Sequence, residues 1–336
     1  MNADDAGQAL HQLINGYRIS QAIHVAASLH IADHLVSGPK TSHELAVATT
    51  AHPEALYRLL RALAAAGVLH ESHGRRFSLT SMGQYLRRDI SGSRHAWATF
   101  SGRPSYWAAW GHLRHSVCSG ENAFKHAQGA DVWEYRTQNP VESEIFDLAM
   151  REGSLRAFDD VAASCDFSRF DRIADIGGGD GSFLASILKA HRSCKGVLFD
   201  QPHVVAAAPA ILREAGVAAR CEVIGGDFFD EVPSYCDAHV LKFILHDWQD
   251  DQAVSLLRTC RRACRPSGKL IVVERILASA NEGLEGKFSD LNMLVSAGGR
   301  ERTLEEFATL FKGAEFVLVS AVHGSGPLAV IEAAPI

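Results

Sequence analysis

Apolar residues recur at helical spacing along the first third of the chain. One helix, running to about Leu35, is predicted by apolar positions on a single face: Ile19, Ile23, Ala26, Ala27 and Ile31. Thr41 followed by Glu44 is a capping-box pattern that predicts the start of a second helix. A third helix is predicted between Pro53 and Gly67, because proline is favoured in the first helical turn and glycine just beyond the last.

The segments that follow Gly67 predict a hairpin, in which GVLHES and FSLT are strands and HGRR is the turn. Helices followed by a hairpin are the pattern of a winged helix, a fold that binds DNA in some proteins and dimerises in others. The third helix offers only two basic side chains, Arg58 and Arg61, and most of its other residues are leucine or alanine. This composition favours helix-on-helix packing over reading of a DNA groove.

Aromatic residues concentrate in the next segment, residues 96–160, which is predicted to be mainly helical. Four of the five tryptophans of the chain lie there, namely Trp97, Trp107, Trp110 and Trp133. Large rigid rings can pack a helical core, and they also form the walls that position flat apolar ligands. We therefore expect this segment to line part of a ligand pocket.

From about Arg172 onward, strand-like and helix-like segments alternate. Five β-rich runs predict strands: RIADIG, KGVLFD, CEVIGGD, AHVLKFIL and KLIVVERIL. This alternation predicts an α/β domain whose mostly parallel sheet is covered on both faces, and FVLVSAVHGSGPLAVIEAAP predicts an antiparallel edge. Ligands of such sheets bind beyond the carboxyl ends of the strands, so we expect the chemistry there.

The composition of the 336 residues is that of a globular protein, with 47% hydrophobic and 21% charged residues. A formal net charge of −6 makes a nucleic-acid backbone an unexpected partner. No apolar run reaches the roughly 18 residues that a membrane-spanning helix requires, and no secretory signal is visible. The seven cysteines form no CxxC pair, as expected for reduced thiols in a cytoplasmic protein, and we expect Cys260 and Cys264 to pack in the core.

The first predicted strand of the α/β domain leads into a glycine-rich turn, Asp175-Ile176-Gly177-Gly178-Gly179-Asp180-Gly181-Ser182. Glycines there allow a nucleotide to approach the backbone at the start of a helix. The dinucleotide fingerprint GxGxxG requires glycine where Ser182 stands, which disfavours an NAD-dependent oxidoreductase. The form GxGxG, made by Gly177, Gly179 and Gly181 behind an acidic residue, is typical of proteins that bind S-adenosylmethionine.

Two further acidic residues follow the next predicted strands. Asp200 ends KGVLFD, where its carboxylate can accept hydrogen bonds from both hydroxyls of a ribose. Asp227 follows Gly226 after the third strand and is expected near an adenine, with Phe228 able to stack on that ring. A single acidic residue at a strand end is more often a turn former or helix cap, whereas three such sites in this order indicate a nucleoside-binding edge.

These segments resemble the small-molecule O-methyltransferases, a family that includes plant caffeate and acetylserotonin methyltransferases and bacterial phenazine and polyketide tailoring enzymes. The matching segments, in family order across residues 172–303, are DIGGGDGSF, FDQPHV, GGDFFDEVP, LKFILHDW, KLIVVERIL and GGRERT. The resemblance implies a cytoplasmic homodimer of secondary metabolism that uses S-adenosylmethionine, releases S-adenosylhomocysteine and requires no metal. It also implies a winged-helix dimerisation domain (1–95), an aromatic linker lining the acceptor pocket (96–160) and a Rossmann-like methyltransferase domain (161–336).

The resemblance further assigns individual residues. The cofactor contacts that it implies are Gly177, Asp200, Gly226, Asp227, Phe228 and Lys242. Met150, Asn292 and Met293 lie in segments that line the acceptor pocket of relatives, although a methionine there equally fits a packed core.

His246, which follows the fourth strand in LKFILHDW, is the predicted catalytic base. A phenolic hydroxyl with a pKa near 10 is mostly protonated at pH 7, and an imidazole with a pKa of about 6.5 can remove its proton as the methyl group moves. Glu274 ends the fifth strand and Glu301 lies in GGRERT. The resemblance implies that both carboxylates flank the histidine, where they would fix its tautomer and stabilise the imidazolium.

Other functions remain open at this point. Carbon or nitrogen methylation can use the same scaffold, and iron-assisted chemistry would require a further ligand where Asn292 stands. An NAD-dependent oxidoreductase and a winged-helix regulator with a degenerate sensor domain are the two alternatives from other classes.

Overall fold

The computed structural model describes residues 3–161 and 164–336. The chain forms two compact units, one made by Met1–Trp107 with Asn139–Glu152 and the other by Ala108–Gln138 with Gly153–Ile336. The aromatic segment 96–160 therefore contributes residues to both units. Among the described residues, no helix is both long and apolar enough to cross a membrane.

The N-terminal part combines short helices with a small sheet. Its elements are α1 (Ala3–Ile14), α2 (Gly16–Ser28), α3 (Ile31–His34), β1 (Lys40–Thr41), α4 (Ser42–Thr49), α5 (Pro53–Ala65), β2 (Leu69–Ser72), β3 (Arg76–Leu79) and α6 (Ser81–Gln84). The strands pair antiparallel in the order β1-β3-β2, and β2 with β3 forms the predicted hairpin. The capping box is present, because the Thr41 side chain accepts from the Glu44 N–H and the Glu44 carboxylate accepts from the Thr41 N–H. The winged-helix pattern is confirmed.

The prediction of a single helix running to Leu35 is wrong in one respect. Helix α2 ends at Ser28, and His30 adopts a left-handed conformation with φ 52° before the one-turn helix α3. A residue in this region cannot continue a right-handed helix, so the chain changes direction there. Part of the predicted apolar face is nevertheless buried on both sides of the break, with Ala26 and Ala27 at 2% and Ile31 at 1% exposure, whereas Ile19 is 51% exposed.

The segment rich in aromatic residues is helical, as predicted. Its elements are α7 (His95–Ser101), α8 (Pro104–Gly111), α9 (Leu113–Ser119), α10 (Ala123–Gln128), α11 (Val132–Gln138) and α12 (Pro140–Val161). Within the second unit, α10 and α11 bury Phe124 and Val132 against Val295 in a small apolar cluster.

The C-terminal part is the predicted α/β domain. Its elements are β4 (Arg172–Ile176), α13 (Ser182–Ala190), β5 (Lys195–Asp200), α14 (Ala208–Glu214), β6 (Cys221–Gly225), β7 (Ala238–Lys242), α15 (Asp250–Ala263), β8 (Lys269–Glu274), α16 (Leu284–Val295), α17 (Leu304–Gly313), β9 (Phe316–His323) and β10 (Ala329–Pro335). The strand order is β6-β5-β4-β7-β8-β10-β9. Strands β4 to β8 are parallel, and β10 runs antiparallel to both β8 and β9, which is the predicted edge.

Two apolar clusters cover the opposite faces of this sheet. Successive strand residues point to opposite sides, so Ile173 belongs to one cluster and Ala174 to the other. Cys260 and Cys264 are buried in the second cluster, as predicted. The chain leaves β4 in one direction toward β5 and returns on its other side as β7, so the carboxyl ends of β4 and β7 flank the point where the strand order reverses.

Candidate active site

The turn after β4 and the turn after β7 pack closely at this edge of the sheet. Gly177 has φ 69°, and a Cβ added to it would lie 2.4 Å from Ile244 Cδ1. Only glycine therefore allows the two turns to approach this closely without displacing Ile244. The glycine motif accordingly serves the packing of the site as well as the approach of a ligand.

Asp200, at the end of β5, organises the glycine turn through backbone contacts. Its Oδ2 accepts a hydrogen bond from the Gly179 N–H (2.8 Å), and its Oδ1 accepts one from the Gln201 N–H (2.7 Å). Burial raises the pKa of Asp200, and these two bonds oppose that effect. Each carboxylate oxygen can accept a further bond, and the space beside Gly179 is open. Gly226 lies next to this residue and donates its N–H to the Asp200 carbonyl oxygen (3.0 Å).

Asp227 and Phe228 follow β6. The Asp227 side chain is exposed, and its Oδ1 accepts the Phe229 N–H at 2.8 Å, so in this structure it acts as a turn former. The Phe228 ring borders the glycine turn, because its Cε1 lies 3.6 Å from the position of a Cβ on Gly177. An aromatic face next to this glycine-rich turn can stack on the base of a bound nucleoside.

Two titratable groups lie at the same edge, one of them buried and the other half-buried. Asp175 is 1% exposed, neither carboxylate oxygen has a hydrogen-bond partner among the described residues, and burial raises its pKa to about 7. The Lys242 ammonium lies over the rings of Phe183 (5.6 Å) and Phe243 (5.1 Å), and burial lowers its pKa. Together with Asp200, these groups fit a polar ligand that carries both a ribose and a charged tail, since buried polar atoms require partners.

His246 lies in a short 3-10 turn, Leu245–Asp247, between β7 and α15. Glu274, at the end of β8, fixes this turn: its Oε1 accepts the backbone N–H groups of Ile244 (3.0 Å), Leu245 (2.8 Å) and His246 (3.3 Å). Phe243 reaches this geometry with φ 55°, a conformation that costs a residue other than glycine roughly 1–2 kcal/mol. Strain of this kind persists only where the surroundings determine it, and here the buried carboxylate does so.

The imidazole itself contacts Glu301 more closely than Glu274. Glu301 Oε1 lies 3.1 Å from His246 Nδ1, whereas Glu274 Oε2 is 3.7 Å from the same nitrogen. The Ser289 hydroxyl donates to Glu301 Oε1 (2.7 Å), and Phe243 stacks on the imidazole with 5.3 Å between ring centroids. The structure thus brings His246, Glu274 and Glu301 together. Glu301 accepts from the imidazole, whereas Glu274 accepts from the backbone of the histidine turn.

The charges around His246 favour its protonated form. Burial opposes that charge, but Glu274, Asp247 and Glu301 outweigh it and raise the pKa of His246 to about 10. Burial likewise works against the Glu301 carboxylate, yet His246 and Ser289 lower the pKa of Glu301. Asp247 Oδ1 lies 3.7 Å from His246 Nε2, the ring nitrogen that Glu301 leaves free, and burial raises the pKa of Asp247.

The segment that carries Glu301 is bound to the histidine turn by backbone contacts. The Arg300 N–H donates to the His246 carbonyl oxygen (2.9 Å), and a Cβ on Gly299 would lie 2.1 Å from that oxygen. Arg302 is fully buried and donates to the carbonyl oxygens of Leu245 and Trp248, each at 2.8 Å. These contacts fix the turn from the side opposite Glu274.

The candidate acceptor residues are divided between the two units. Asn292 and Met293 lie in α16 in the second unit, where Asn292 Oδ1 accepts the indole N–H of Trp110 (3.2 Å) and Met293 is buried. Met150 belongs to the first unit and is half-buried. The contact with Trp110 connects α16 to the aromatic segment.

His246, Glu274 and Glu301 also offer one potential metal ligand each, with the three atoms within 4.8 Å of one another. The raised pKa of His246 means that a proton competes for the imidazole, and protonated histidine does not bind a metal.

Sequence reasoning missed Asp247, Ser289 and Arg302. Both Asp247, which directly follows His246, and Arg302, which follows Glu301, lie in segments that carry predicted site residues, LKFILHDW and GGRERT. A signal for Arg302 existed in Asp250, which opens α15 and accepts from the guanidinium at 2.9 Å. Ser289 carries no sequence signal, because its contact depends on the packing of α16.

Sequence comparison decides the family. The profile of an O-methyltransferase domain matches residues 110–317, and that of an O-methyltransferase dimerisation domain matches residues 11–89. The chain belongs to the O-methyltransferase family. As a member of this family it is similar to a phenazine O-methyltransferase of Lysobacter antibioticus, with 40% identity over 97% of this chain and 96% of the relative.

Two further relatives show the range of this O-methyltransferase family. A mitomycin biosynthesis 6-O-methyltransferase of Streptomyces lavendulae is 37% identical over 97% of this chain and 94% of the relative. An 8-amino-8-demethylriboflavin N,N-dimethyltransferase of Streptomyces davaonensis is 39% identical over 97% of this chain and 95% of the relative. Members at similar identity therefore methylate oxygen in one case and nitrogen in another.

Solved structures agree with this O-methyltransferase assignment. The crystal structure of LaPhzM has a TM-score of 0.95 and 39% identity, and the match covers 98% of this chain and 99% of that one. The O-methyltransferase NcsB1 of neocarzinostatin biosynthesis, solved with S-adenosylmethionine and 2-hydroxy-5-methyl naphthoic acid, has a TM-score of 0.83 and 31% identity over 95% of this chain and 96% of that one.

Proposed function

We propose that this chain transfers a methyl group from S-adenosylmethionine to a hydroxyl of a small aromatic acceptor, with His246 as general base. The observation that carries the proposal is the geometry of the imidazole: Nδ1 faces Glu301 at 3.1 Å, so Nε2 is the nitrogen available to an acceptor hydroxyl. S-adenosylmethionine, when bound, supplies an activated methyl group that already carries its leaving group. The chain must then orient the acceptor and remove its proton.

The residues proposed to bind the cofactor line the carboxyl ends of β4 to β7. They are Gly177, Asp200, Gly226, Asp227, Phe228 and Lys242. Asp200 is the strongest of them, because both of its oxygens keep acceptor capacity for ribose hydroxyls. Asp175, buried without hydrogen-bond partners among the described residues, supports a polar ligand at this edge.

The proton affinity of His246 suits a phenolic acceptor. Its pKa of about 10 is close to that of a free phenol, so transfer of the hydroxyl proton to Nε2 is nearly balanced in free energy. Glu301 accepts from Nδ1 and stabilises the imidazolium that results. The cost is that the protonated imidazole predominates at pH 7, so only a minority of the molecules hold the neutral base.

The acceptor is proposed to be a flat hydroxylated ring system of the phenazine or polyketide type. Trp110, Asn292 and Met293 would form part of its wall. NcsB1, which was solved with a naphthoic acid, supports this chemical class. The family assignment disfavours the oxidoreductase and the DNA-binding regulator considered from the sequence.

Nitrogen methylation is the second candidate, favoured by the similarity to the N,N-dimethyltransferase. An aromatic amine offers its lone pair without prior loss of a proton, so a general base contributes less to its methylation. The electrostatic environment of His246, which raises the proton affinity of the ring, favours a hydroxyl acceptor.

A homodimer is the proposed assembly. The dimerisation-domain profile covers residues 11–89, and large apolar side chains of α1 and α2 are exposed in the single chain, namely Leu10, Leu13, Ile14, Tyr17, Ile19 and Val25. Light scattering of the purified chain should give twice the monomer mass.

The test is a matched panel of hydroxylated and amino-substituted aromatic compounds, with product analysis by mass spectrometry. We expect a gain of one methyl group on oxygen, and we expect His246→Gln to lower kcat by about 10²–10⁴-fold while S-adenosylmethionine still binds. A variant with unchanged kcat on the same acceptor would refute the general base. Methylation of amines alone would select the second candidate.

A further inference from the structure

A second cluster of metal-ligating side chains lies in the unit formed by Met1–Trp107 and Asn139–Glu152. His30, Asp33 and His95 each place one potential ligand atom within 4.8 Å of the other two. They come from different elements: His30 lies between α2 and α3, Asp33 lies in α3, and His95 opens α7. We propose that this cluster binds a transition-metal ion of the zinc type.

The spacing of the ligand atoms is close to that of a filled site. His30 Nδ1 lies 3.2 Å from His95 Nε2 and 3.9 Å from Asp33 Oδ2. Tetrahedral zinc, with bonds of about 2.0–2.1 Å, separates its ligand atoms by about 3.3 Å. The two imidazoles are nearly parallel, 5.3 Å apart with an interplanar angle of 19°. To admit an ion, the two rings must turn so that their lone pairs converge on one point, and the Asp33 carboxylate must move closer to His30.

The two imidazoles are joined by a hydrogen bond that a metal would replace. His30 Nδ1 and His95 Nε2 lie 3.2 Å apart, which places a hydrogen on one of the two nitrogens. His95 Nε2 lies 3.1 Å from the Ala27 carbonyl oxygen, to which only a protonated nitrogen can donate. Metal binding would move that hydrogen to the other ring nitrogen.

Asp33 already has the contacts that would orient it. The Arg88 side chain donates from Nε to Asp33 Oδ2 (2.6 Å), and the Arg88 backbone N–H donates to Oδ1 (3.1 Å). The Arg88 side chain is 56% exposed, so it can yield Oδ2 to the ion and turn into solvent. The backbone contact to Oδ1 would remain and fix the carboxylate, as outer contacts do in many metal sites.

An ion at this position would connect three pieces of chain. His30 marks the break between α2 and α3, and His95 begins α7, so a shared metal would fix the angle at the break. Three protein ligands leave a fourth position for water, as in open zinc sites. A ligand that binds only the folded state raises thermal stability, which makes the site measurable without any enzymatic assay.

The experiment uses the full chain after removal of metals by a chelator. Isothermal titration with zinc chloride and thermal unfolding with and without zinc should show one tight equivalent and a raised Tm. His30→Gln and Asp33→Asn should raise the dissociation constant of that zinc ion by more than about tenfold and abolish the rise in Tm. Cobalt(II) should give a visible spectrum without intense thiolate charge-transfer bands, because the ligand set contains no cysteine.

The matched control is His70→Gln, which removes an exposed histidine of β2 outside the cluster and should bind zinc as the parent does. Circular dichroism and metal-free Tm show whether each variant is folded, and His30 is the safest target because its side chain is 43% exposed. Equal zinc binding by His30→Gln and the parent, or no tight equivalent in the parent, would overturn the proposal. None of these measurements depends on methyl transfer, so the proposed function is tested separately.

Discussion

Glu301 and His246 form a buried pair, with Oε1 of the carboxylate 3.1 Å from Nδ1 of the imidazole. Glu301 is 1% exposed and His246 9%, so water contributes little to the charge balance between them. Glu274 is equally buried but uses Oε1 to accept backbone N–H groups of the histidine turn. Both carboxylates therefore act on the ring through their charge, and Glu274 in addition fixes the chain that carries it.

The raised pKa of His246 predicts a pH dependence with a definite sign. Because the base must be neutral, log kcat/KM should rise with slope one from about pH 6 until it levels near the pKa of about 10. Glu301→Gln removes a charge that raises this pKa, so the rising limb should move to lower pH, and the plateau should fall because the imidazolium is less stabilised.

The measurement is kcat/KM across this pH range for the parent, Glu301→Gln and His246→Gln with one acceptor. Ionisation of the acceptor is common to all three and cancels in the comparison. An unchanged limb in Glu301→Gln would show that the carboxylate does not act on the imidazole.

Removal of the charge of Glu274 should lower the stability of the protein less than removal of its side-chain oxygens. Glu274→Gln keeps an oxygen that can accept the three N–H groups, so the fold should be retained. Glu274→Ala leaves buried donors without a partner and should cost about 1–3 kcal/mol in the free energy of unfolding. Urea unfolding of both variants measures this difference, and equal losses would contradict the anchoring of the turn.

Gly299 should be intolerant of a side chain. A Cβ there would lie 2.1 Å from the His246 carbonyl oxygen and 2.3 Å from the Asp247 carbonyl carbon, so the backbone must shift and carry Glu301 with it. Gly299→Ala should lower kcat by at least about tenfold, since misplacement of catalytic groups by about 1 Å costs about 10²-fold. The matched control is Gly286→Ala, where the nearest atom is 3.8 Å away, and its kcat should be unchanged.

Asp200 and Asp227 should differ in their effect on cofactor affinity. Asp200 is half-buried and joins the glycine turn to β5, so Asp200→Ala should weaken S-adenosylmethionine binding by more than about tenfold. Asp227 is exposed and caps its own turn, so Asp227→Ala should have a smaller effect. Isothermal titration of both variants measures the two dissociation constants. The reverse order would show that the exposed carboxylate makes the main contact in the complex.

Two local interruptions of the chain were beyond prediction from the sequence. The apolar face that continues through Ala27 and Ile31 predicts one helix, yet His30 adopts a left-handed conformation between them. Phe243 does the same just before the histidine turn. Histidine is enriched in this conformation only several-fold and phenylalanine is not, so residue type gives little signal, and in both cases contacts from distant segments determine the backbone.

The sequence alone determined the elements and their order at the site. Alternating strands and helices, the glycine turn and the position of His246 beyond a strand are local patterns, and each follows from the periodicity or conformational preference of a few neighbouring residues. The tertiary structure decided which carboxylate contacts the imidazole, why Gly299 must be glycine and where the charge of Arg302 is buried. These depend on side chains far apart in the chain, such as His246 and Glu301, 55 positions apart, which only the packing of β8, α16 and the following loop brings within hydrogen-bond distance.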